Sequence, residues 1–600
     1  LVNVAQEMKH LRKLSGRDPG KRFNRLWKNM SSETWLTQAW EEIRRNKGSR
    51  TPGVDRQTAE DISPERIQAL SERLRNKTYR PTPVRRVHIP KGNGKTRPLG
   101  IPTVEDRIVQ QALRMVLEPI FEADFLPCSH GFRAGHSPHT ALRDVARWYP
   151  NVTWIIEGDI VGCYDNIPHK KLMEGIQQRI ADERILSLIY AFLKAGYMED
   201  WQYHKTYSGT PQGGIASPLL CNIFLHQLDV MVINELEANQ TQTKRESNAR
   251  RNPEYRRIEN AIQRARKKLA QYPTREEKRH LVQTLKELRK ELKQTPWYAS
   301  ENWHKGKVYY TRYADDFAVL INGTKREAED VQDKIKWQLA KMGLELSEEK
   351  TKLTHWSETV QFLGYNIQGK PMPKGHLRRA YLSIPKERER LIRREILKIA
   401  RYHHIPELDA MMQIGAKFRG WCHYYRYANA PQSTFSRLAQ KTWWYYAHFM
   451  ARKHKTSIKK MTSQAKKSGS LKVIKKAGRT AHTFSIQHGK KEYVLDIIPP
   501  KTATIQQVTA KDWTVDLKPV NPLNWQSGRS LETRLMALAR SGGLCERCGE
   551  NRMAHVHHKS RMSAKKTLKA KVQSDTAQRP KTLALCLECH LESHQGNWQT

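Results

Sequence analysis

Two carboxylates stand side by side between two apolar runs in Val308-Tyr-Tyr-Thr-Arg-Tyr-Ala-Asp-Asp-Phe-Ala-Val-Leu320. The flanks are β-favouring, so the pattern predicts a hairpin with Asp315 and Asp316 at its tip. Adjacent acids at a tight turn repel each other and gain little stability unless cations neutralise them. An Asp-Asp dipeptide alone is common in solvated turns. The preceding Tyr313-Ala314 and the apolar flanks make this one more specific. A second apolar strand, Thr153-Trp-Ile-Ile-Glu-Gly-Asp159-Ile160, also ends in a carboxylate. Asp159 and Asp315 at the edge of one sheet could bind two Mg²⁺ ions, which prefer hard oxygen ligands. Such a pair can activate a 3′-hydroxyl and stabilise a leaving pyrophosphate.

Charge points to the same chemistry. Lys plus Arg is 106 against 60 Asp plus Glu, a formal net charge of +46. A chain so basic repels itself unless a polyanion compensates, and nucleic acid fits better than an anionic membrane surface. The 16 Trp and 22 Tyr supply flat faces for stacking bases. No apolar run approaches the roughly 18–20 residues of a membrane span, which argues against an integral membrane protein. Residues 1–30 are basic and lack the apolar stretch of a signal peptide.

The 600 residues allow about three to six domains. Helices are expected over Ser31–Asn46 and Ser63–Asn76, with Ser-type starts. Residues 81–103 read as extended, with a turn at Gly92-Asn93-Gly94. Residues 104–240 alternate helix and short strand, and 241–300 read as an inserted helical hairpin broken at Tyr272-Pro273. Strands are expected at 307–322 and 360–368. Three helical segments follow from Lys386 to about Met450, separated near Ile405-Pro406 and Pro431. The stretch 451–500 carries 13 Lys/Arg against Glu492 and Asp496. Residues 501–530 look like a linker or small irregular module. Cys128, Cys163, Cys221 and Cys422 are scattered, whereas Cys545-x-x-Cys548 and Cys586-x-x-Cys589 suggest one tetrahedral Cys₄ zinc site.

The order of these segments resembles a group II intron-encoded reverse transcriptase and maturase carrying an HNH endonuclease. Besides Tyr313-Ala-Asp-Asp316, Gly209-Thr-Pro-Gln-Gly-Gly-Ile-Ala-Ser-Pro-Leu-Leu220 is similar to that family's block before the catalytic hairpin. So are Arg97-Pro-Leu-Gly-Ile-Pro102 with Asp106-Arg107 and Gln110, and Gly131-Phe-Arg-Ala-Gly135. The resemblance implies a multidomain α+β protein built as a right-hand polymerase. Fingers and palm would span 1–375, including the 241–300 insertion. A three-helix thumb, or maturase domain, would span 376–455. A basic DNA- or RNA-binding segment (456–530) and an HNH, or ββα-metal, module (531–600) would follow.

The resemblance also assigns residues. Asp159, Asp315 and Asp316 would hold the two Mg²⁺ ions, Asp315 binding both and Asp316 contributing less directly, with a backbone carbonyl from Ile160. Lys91 and Arg97 would clamp the incoming deoxynucleoside triphosphate, as cations can. Gln212 would touch the nascent base pair. Tyr164, where the family usually has Phe, would lie under the incoming sugar and exclude a 2′-hydroxyl. Lys350 takes the place of a palm lysine near the triphosphate, and Phe362-Leu-Gly-Tyr365 looks like the primer grip. Arg419-Gly-Trp421 and His423-Tyr-Tyr-Arg426 match the maturase run, with Arg419 and Arg426 facing RNA.

At the C-terminal end, His557, His590 and His594 would hold a divalent metal, and His558 would be the general base. The pattern's usual Asn is replaced by Lys581, which leaves open a zinc-stabilised DNA-binding module without cleavage. The partners implied are the parent intron RNA, target double-stranded DNA and deoxynucleotides, with no membrane, in a prokaryotic cytoplasm. A non-enzymatic RNA-binding splicing factor is the competing function.

Overall fold

The strand after the two carboxylates is buried on both faces, which explains its unbroken apolar run. Phe317, Val319 and Ile321 enter one hydrophobic core, while Ala318 and Leu320 enter a second. The same alternation divides Trp154 and Ile156 from Ile155. The computed structural model describes residues 3–90, 96–199, 202–206, 208–210, 213–236, 238–239, 252–271, 275–295, 307–371, 378–402, 404–476, 478–489, 491–515 and 517, with the backbone of 555–558 and 582–585.

The central antiparallel sheet runs in the order Lys307–Tyr313, Asp316–Asn322, Trp154–Asp159, Lys352–His355. The expected hairpin therefore forms, and its partner is the strand that ends at Asp159. On one side lies the larger core, built from the N-terminal helices, Val104–Phe121 and Ser217–Asn234. The expected N-terminal helices are present as Glu33–Arg44 and Pro64–Arg75, with Ser32 and Ser63 as their N-caps. A second sheet is ordered Thr96–Ile101, Val84–Pro90, Tyr197–Glu199, Gln202–His204, within the region expected to form the fingers. The Gly92–Gly94 turn lies outside the described residues. The strands flanking it pair from Pro90 with Thr96 to Arg85 with Ile101.

The other core holds the helices Lys386–Arg401, Glu407–Tyr425 and Gln432–Lys453. Pro406 and Pro431 cap the second and third. Both breaks thus fall where proline cannot continue a helix. The insertion is a helical hairpin, Pro253–Leu269 against Arg275–Gln294, docked through buried Tyr255, Ile258 and Ile262. Trp356 Nε1 donates to Tyr255 Oη at 3.2 Å.

Two further segments take a form that the sequence reading did not specify. The lysine-rich stretch after 451 is a folded unit: a helix, Ile458–Lys467, and an antiparallel sheet of Leu471–Lys476, Arg479–His488 and Lys491–Val494. Phe484 and Leu495 anchor it in the second core. Residues 499–515 then run back across the molecule as a strap. The Ala503 amide donates to the Arg426 carbonyl (3.1 Å), and the Lys511 amide donates to the Gly135 carbonyl (3.0 Å). Arg143 donates to the Val508 carbonyl (3.2 Å), and Trp513 packs on the first core. Gly135 sits at φ +77, and a Cβ there would overlap the Lys511 carbonyl. No described helix is long and apolar enough to cross a membrane.

Candidate functional site

Sheet register brings the carboxylates together. Asp159 ends its strand directly opposite Asp316, and Asp315 occupies the turn beside them. The strand continues as an isolated bridge, Ile160 to Leu346, with the Ile160 side chain buried. The Ser347 amide donates to the Asp159 carbonyl (2.8 Å). Desolvation raises the Asp315 pKa, and the neighbouring Asp159 charge adds to it. Arg97 and Lys350 oppose that rise. Asp316 is pushed up to about 7, by desolvation first and then by Asp315 and Asp159. The cluster is therefore desolvated and self-repelling, and gains from nearby positive charge.

Lys350 supplies some of it, donating to Asp159 Oδ2 at 2.7 Å. The lysine thus stands directly beside the carboxylates. Among the described residues no group of three His, Cys, Asp or Glu closes into a ready cation cage.

The turn is held from behind by a buried polar knot. Arg312, fully buried, donates to Asp229 Oδ1 (2.7 Å) and Oδ2 (2.6 Å), to Asn222 Oδ1 (3.0 Å), to Ser129 Oγ (2.8 Å) and to the Ala314 carbonyl (2.9 Å). Tyr310 Oη also donates to Asp229 (2.9 Å). Burial alone would lower the Arg312 pKa, but the Asp229 partner more than offsets it and the net shift is upward. Ala314 takes φ +57, a left-handed conformation that this knot holds in place. None of these residues stands out in the sequence as part of a site. The available signal was Asn222 and Asp229, two helical turns apart on the otherwise apolar helix Ser217–Asn234.

Tyr164 is half-buried beside this cluster on the short helix Cys163–Asn166. Its pKa is raised, first by burial and then by the nearby Cys221 and Asp315. The Thr210 amide donates to the Tyr164 carbonyl (2.6 Å), and His169 Nε2 donates to the Gly209 carbonyl (2.7 Å). Gly209 and Thr210 are thus tied to the helix that carries Tyr164 and to His169. Gln110 accepts from the Ile215 amide (2.7 Å). Arg97 is exposed on its fingers strand, within electrostatic reach of Asp315. Lys91 and Gln212 lie outside the described residues. Arg107 is structural: it donates to the carbonyls of Pro102 (2.9 Å), Gly48 (3.0 Å) and Thr51 (2.6 Å).

The turn read as the primer grip has Leu363 at φ +46 and Gly364 at φ +76. Tyr424 and Tyr425 of the neighbouring helix donate to their carbonyls, at 2.6 and 3.0 Å. His139 Nε2 donates to the Tyr424 carbonyl (2.7 Å). Arg419 pairs with Asp496 (3.7 Å), and Arg426 donates to Tyr427 Oη (2.7 Å). Both arginines contact the chain's own side chains, so neither is wholly given to solvent. Trp421 is half-buried against Tyr425 and Phe435.

At the C-terminal end, His557 and His558 lie on the strand His555–His558, paired antiparallel with Thr582–Leu585. Cys545, Cys548, Cys586, Cys589, His590 and His594 lie outside the described residues.

Comparison with known proteins agrees with the geometry. Residues 89–243 and 279–367 match the family described as "Reverse transcriptase (RNA-dependent DNA polymerase)". Residues 389–469 match "Group II intron, maturase-specific domain". The chain is 35% identical over 610 residues to "Group II intron-encoded protein LtrA" of Lactococcus lactis subsp. cremoris, covering 95% of each. It is 33% identical to "Protein YkfC" of Escherichia coli, over 64% of this chain and 94% of that protein. A yeast "Putative COX1/OXI3 intron 2 protein" is 28% identical over 96% of this chain and 66% of its own length. With a matching polymerase domain, a matching maturase domain and a relative aligned almost end to end, the chain belongs to the group II intron-encoded reverse transcriptase/maturase family.

Proposed function

We propose that this reverse transcriptase copies its parent intron RNA into DNA at Asp159, Asp315 and Asp316, assists splicing of that intron, and nicks target DNA through its C-terminal module to make the primer. The observation that carries the polymerase assignment is the pairing of Asp159 with Asp316 beside Asp315, a desolvated and self-repelling cluster. Two Mg²⁺ ions held there would neutralise the carboxylates, activate the primer hydroxyl and stabilise the pyrophosphate. The Ile160 carbonyl would assist in holding them.

The chain's own residues orient the substrates. Lys91, Arg97 and Lys350 hold the triphosphate of the incoming deoxynucleotide. Tyr164 lies under its sugar, and Gln212 reads the nascent base pair. We read the fingers and palm as ending at 375, the thumb at 455 and the basic segment at 530. Intron RNA binds across the thumb helices and the basic sheet unit after 451, with Arg419 and Arg426 at its margin. The strand pairing of His557 and His558 supports a ββα-metal reading of residues 531–600. There Cys545, Cys548, Cys586 and Cys589 would hold zinc, His557, His590 and His594 would hold the cleavage metal, and His558 would serve as the general base toward water. The bacterial relatives support a prokaryotic cytoplasm as the site of action.

The test is primer extension by Asp315→Asn, with RNA binding measured in parallel. Loss of DNA synthesis with retained intron-RNA affinity is the expected outcome. Undiminished synthesis would refute the assignment of Asp315. A wild-type protein that binds the intron and promotes splicing without synthesis would favour the non-enzymatic splicing factor.

A further inference from the structure

The segment after Ser129 holds a bulky side chain out of the core, in a conformation such residues rarely take. Phe132 has φ +58 and is 54% exposed. A large L-residue in the left-handed region is strained, and persists only where its surroundings over-determine it. Both neighbours do so here. Gly131 lies against the catalytic turn, where a Cβ would overlap the Ala314 nitrogen. Its carbonyl accepts from Asn222 Nδ2 at 2.7 Å. On the other side the Arg133 side chain is only 7% exposed. It pairs with Glu122 (2.7 Å) and donates to the carbonyls of Leu126 (2.7 Å) and Ser129 (2.6 Å). The residues on either side are thus locked, and Phe132 between them is turned outward.

Strain and exposure are two unfavourable terms that the isolated fold does not recover. A flat ligand lying on the ring would recover them. The ring centroid is 6.4 Å from that of Tyr313, the residue before Ala314 and Asp315 in the catalytic turn. Tyr313 in turn lies within electrostatic reach of Tyr424, which holds the Leu363 carbonyl of the grip turn. Tyr164 and Arg97, by contrast, neighbour Asp315. By its ring contact Phe132 adjoins Tyr313 and, through it, the turn that carries Asp315 and Asp316.

We propose that Phe132 is a stacking platform for the nucleobase at the 3′ end of the primer strand, fixing the terminal hydroxyl against Asp315. The proposal rests on the polymerase assignment above. Stacking on an aromatic side chain tolerates every base, since each has a π-face, and a primer terminus must be held whatever its sequence.

The test uses Phe132→Gly, Phe132→Ala and Phe132→Trp in the full-length protein, with a DNA primer annealed to an RNA template. Glycine accepts φ +58 without strain, so Phe132→Gly should melt no lower than wild type. Its KM for primer–template should nonetheless rise about tenfold, the scale of one lost base–aromatic stack. The KM for deoxynucleotide should stay within twofold. Phe132→Ala should show the same rise in KM, and Phe132→Trp should restore wild-type values. With a primer whose 3′-terminal residue is abasic, the difference between wild type and Phe132→Gly should vanish.

Primer–template KM within twofold of wild type in Phe132→Gly would overturn the proposal. So would a defect that persists on the abasic primer. Failure of the polymerase assignment reads differently: Asp315→Asn would then synthesise DNA as wild type does.

Discussion

Replacing Arg312 by Met would test whether the buried knot behind the Asp315–Asp316 turn positions the carboxylates. Met has similar length and no charge. The change removes five hydrogen bonds from one side chain, and leaves Asp229 fully buried with only Tyr310 Oη donating among the contacts described. Breaking a buried pair by deleting one partner costs about 3–5 kcal/mol, because the remaining charge is uncompensated. For an unfolding unit of palm size, each kcal/mol lowers Tm by about 2–4 °C, so a fall of about 6–20 °C is expected. Activity should fall further than stability alone explains at a temperature where the variant is folded. The Ala314 carbonyl loses its donor, and a displacement of about 1 Å in a reacting group can lower the rate about 100-fold. The double variant Arg312→Met with Asp229→Leu separates the two effects. Removing both charges should recover most of the Tm, yet the turn still lacks its donor, so extension should stay slow. The assays are thermal unfolding and single-turnover primer extension at saturating deoxynucleotide. If Arg312→Met melts within about 2 °C of wild type and extends primer at full rate, the knot neither stabilises the palm nor positions Asp315.

Two further outcomes are expected. Gly135→Ala puts a Cβ into the Lys511 carbonyl at φ +77, so the strap should lift and tryptic cleavage after Lys511 should accelerate several-fold; an unchanged cleavage rate would show that the strap is held elsewhere. His558→Ala should abolish nicking of a labelled target duplex while DNA synthesis continues at the wild-type rate, and equal nicking by both proteins would remove His558 from the mechanism.

What the sequence made legible follows from where each signal is stored. The strands around Asp315 were readable because a local run of β-favouring residues is enough to mark them. The thumb helices were readable because Pro406 and Pro431 interrupt an otherwise helical pattern. The sheet at 471–494 was obscured by its charge. Leu471-Lys-Val-Ile-Lys-Lys476 exposes most of its residues, and the inward anchors, Phe484 and Leu495, are few. A strand that buries so little on one face has a weak periodic signal. The strap was illegible for a different reason. Its hydrogen bonds join Lys511 to Gly135 and Ala503 to Arg426, and irregular backbone that pairs over such separations leaves no period to read.

The same distinction runs through the site itself. Asp159, Asp315 and Asp316 stood out because charged groups at strand ends contribute nothing evident to a core, so chemistry is the better explanation of their presence. Arg312, Asp229 and Asn222 are buried, and in one dimension each reads as an interruption of an apolar element. Only the fold shows that Asp229 and Arg312, 83 residues apart, satisfy each other, and that a further hydrogen bond from Arg312 reaches the Ala314 carbonyl in the turn. A buried charge without a partner would be too unfavourable to retain. A polar residue inside an apolar helix is therefore itself a prediction that a complementary group lies elsewhere in the chain. Here an arginine three residues before Asp315, in a strand otherwise buried on both faces, is the matching candidate. Pairing such interruptions by charge leads from Asp229 to Arg312, and from there to the back of the Asp315–Asp316 turn.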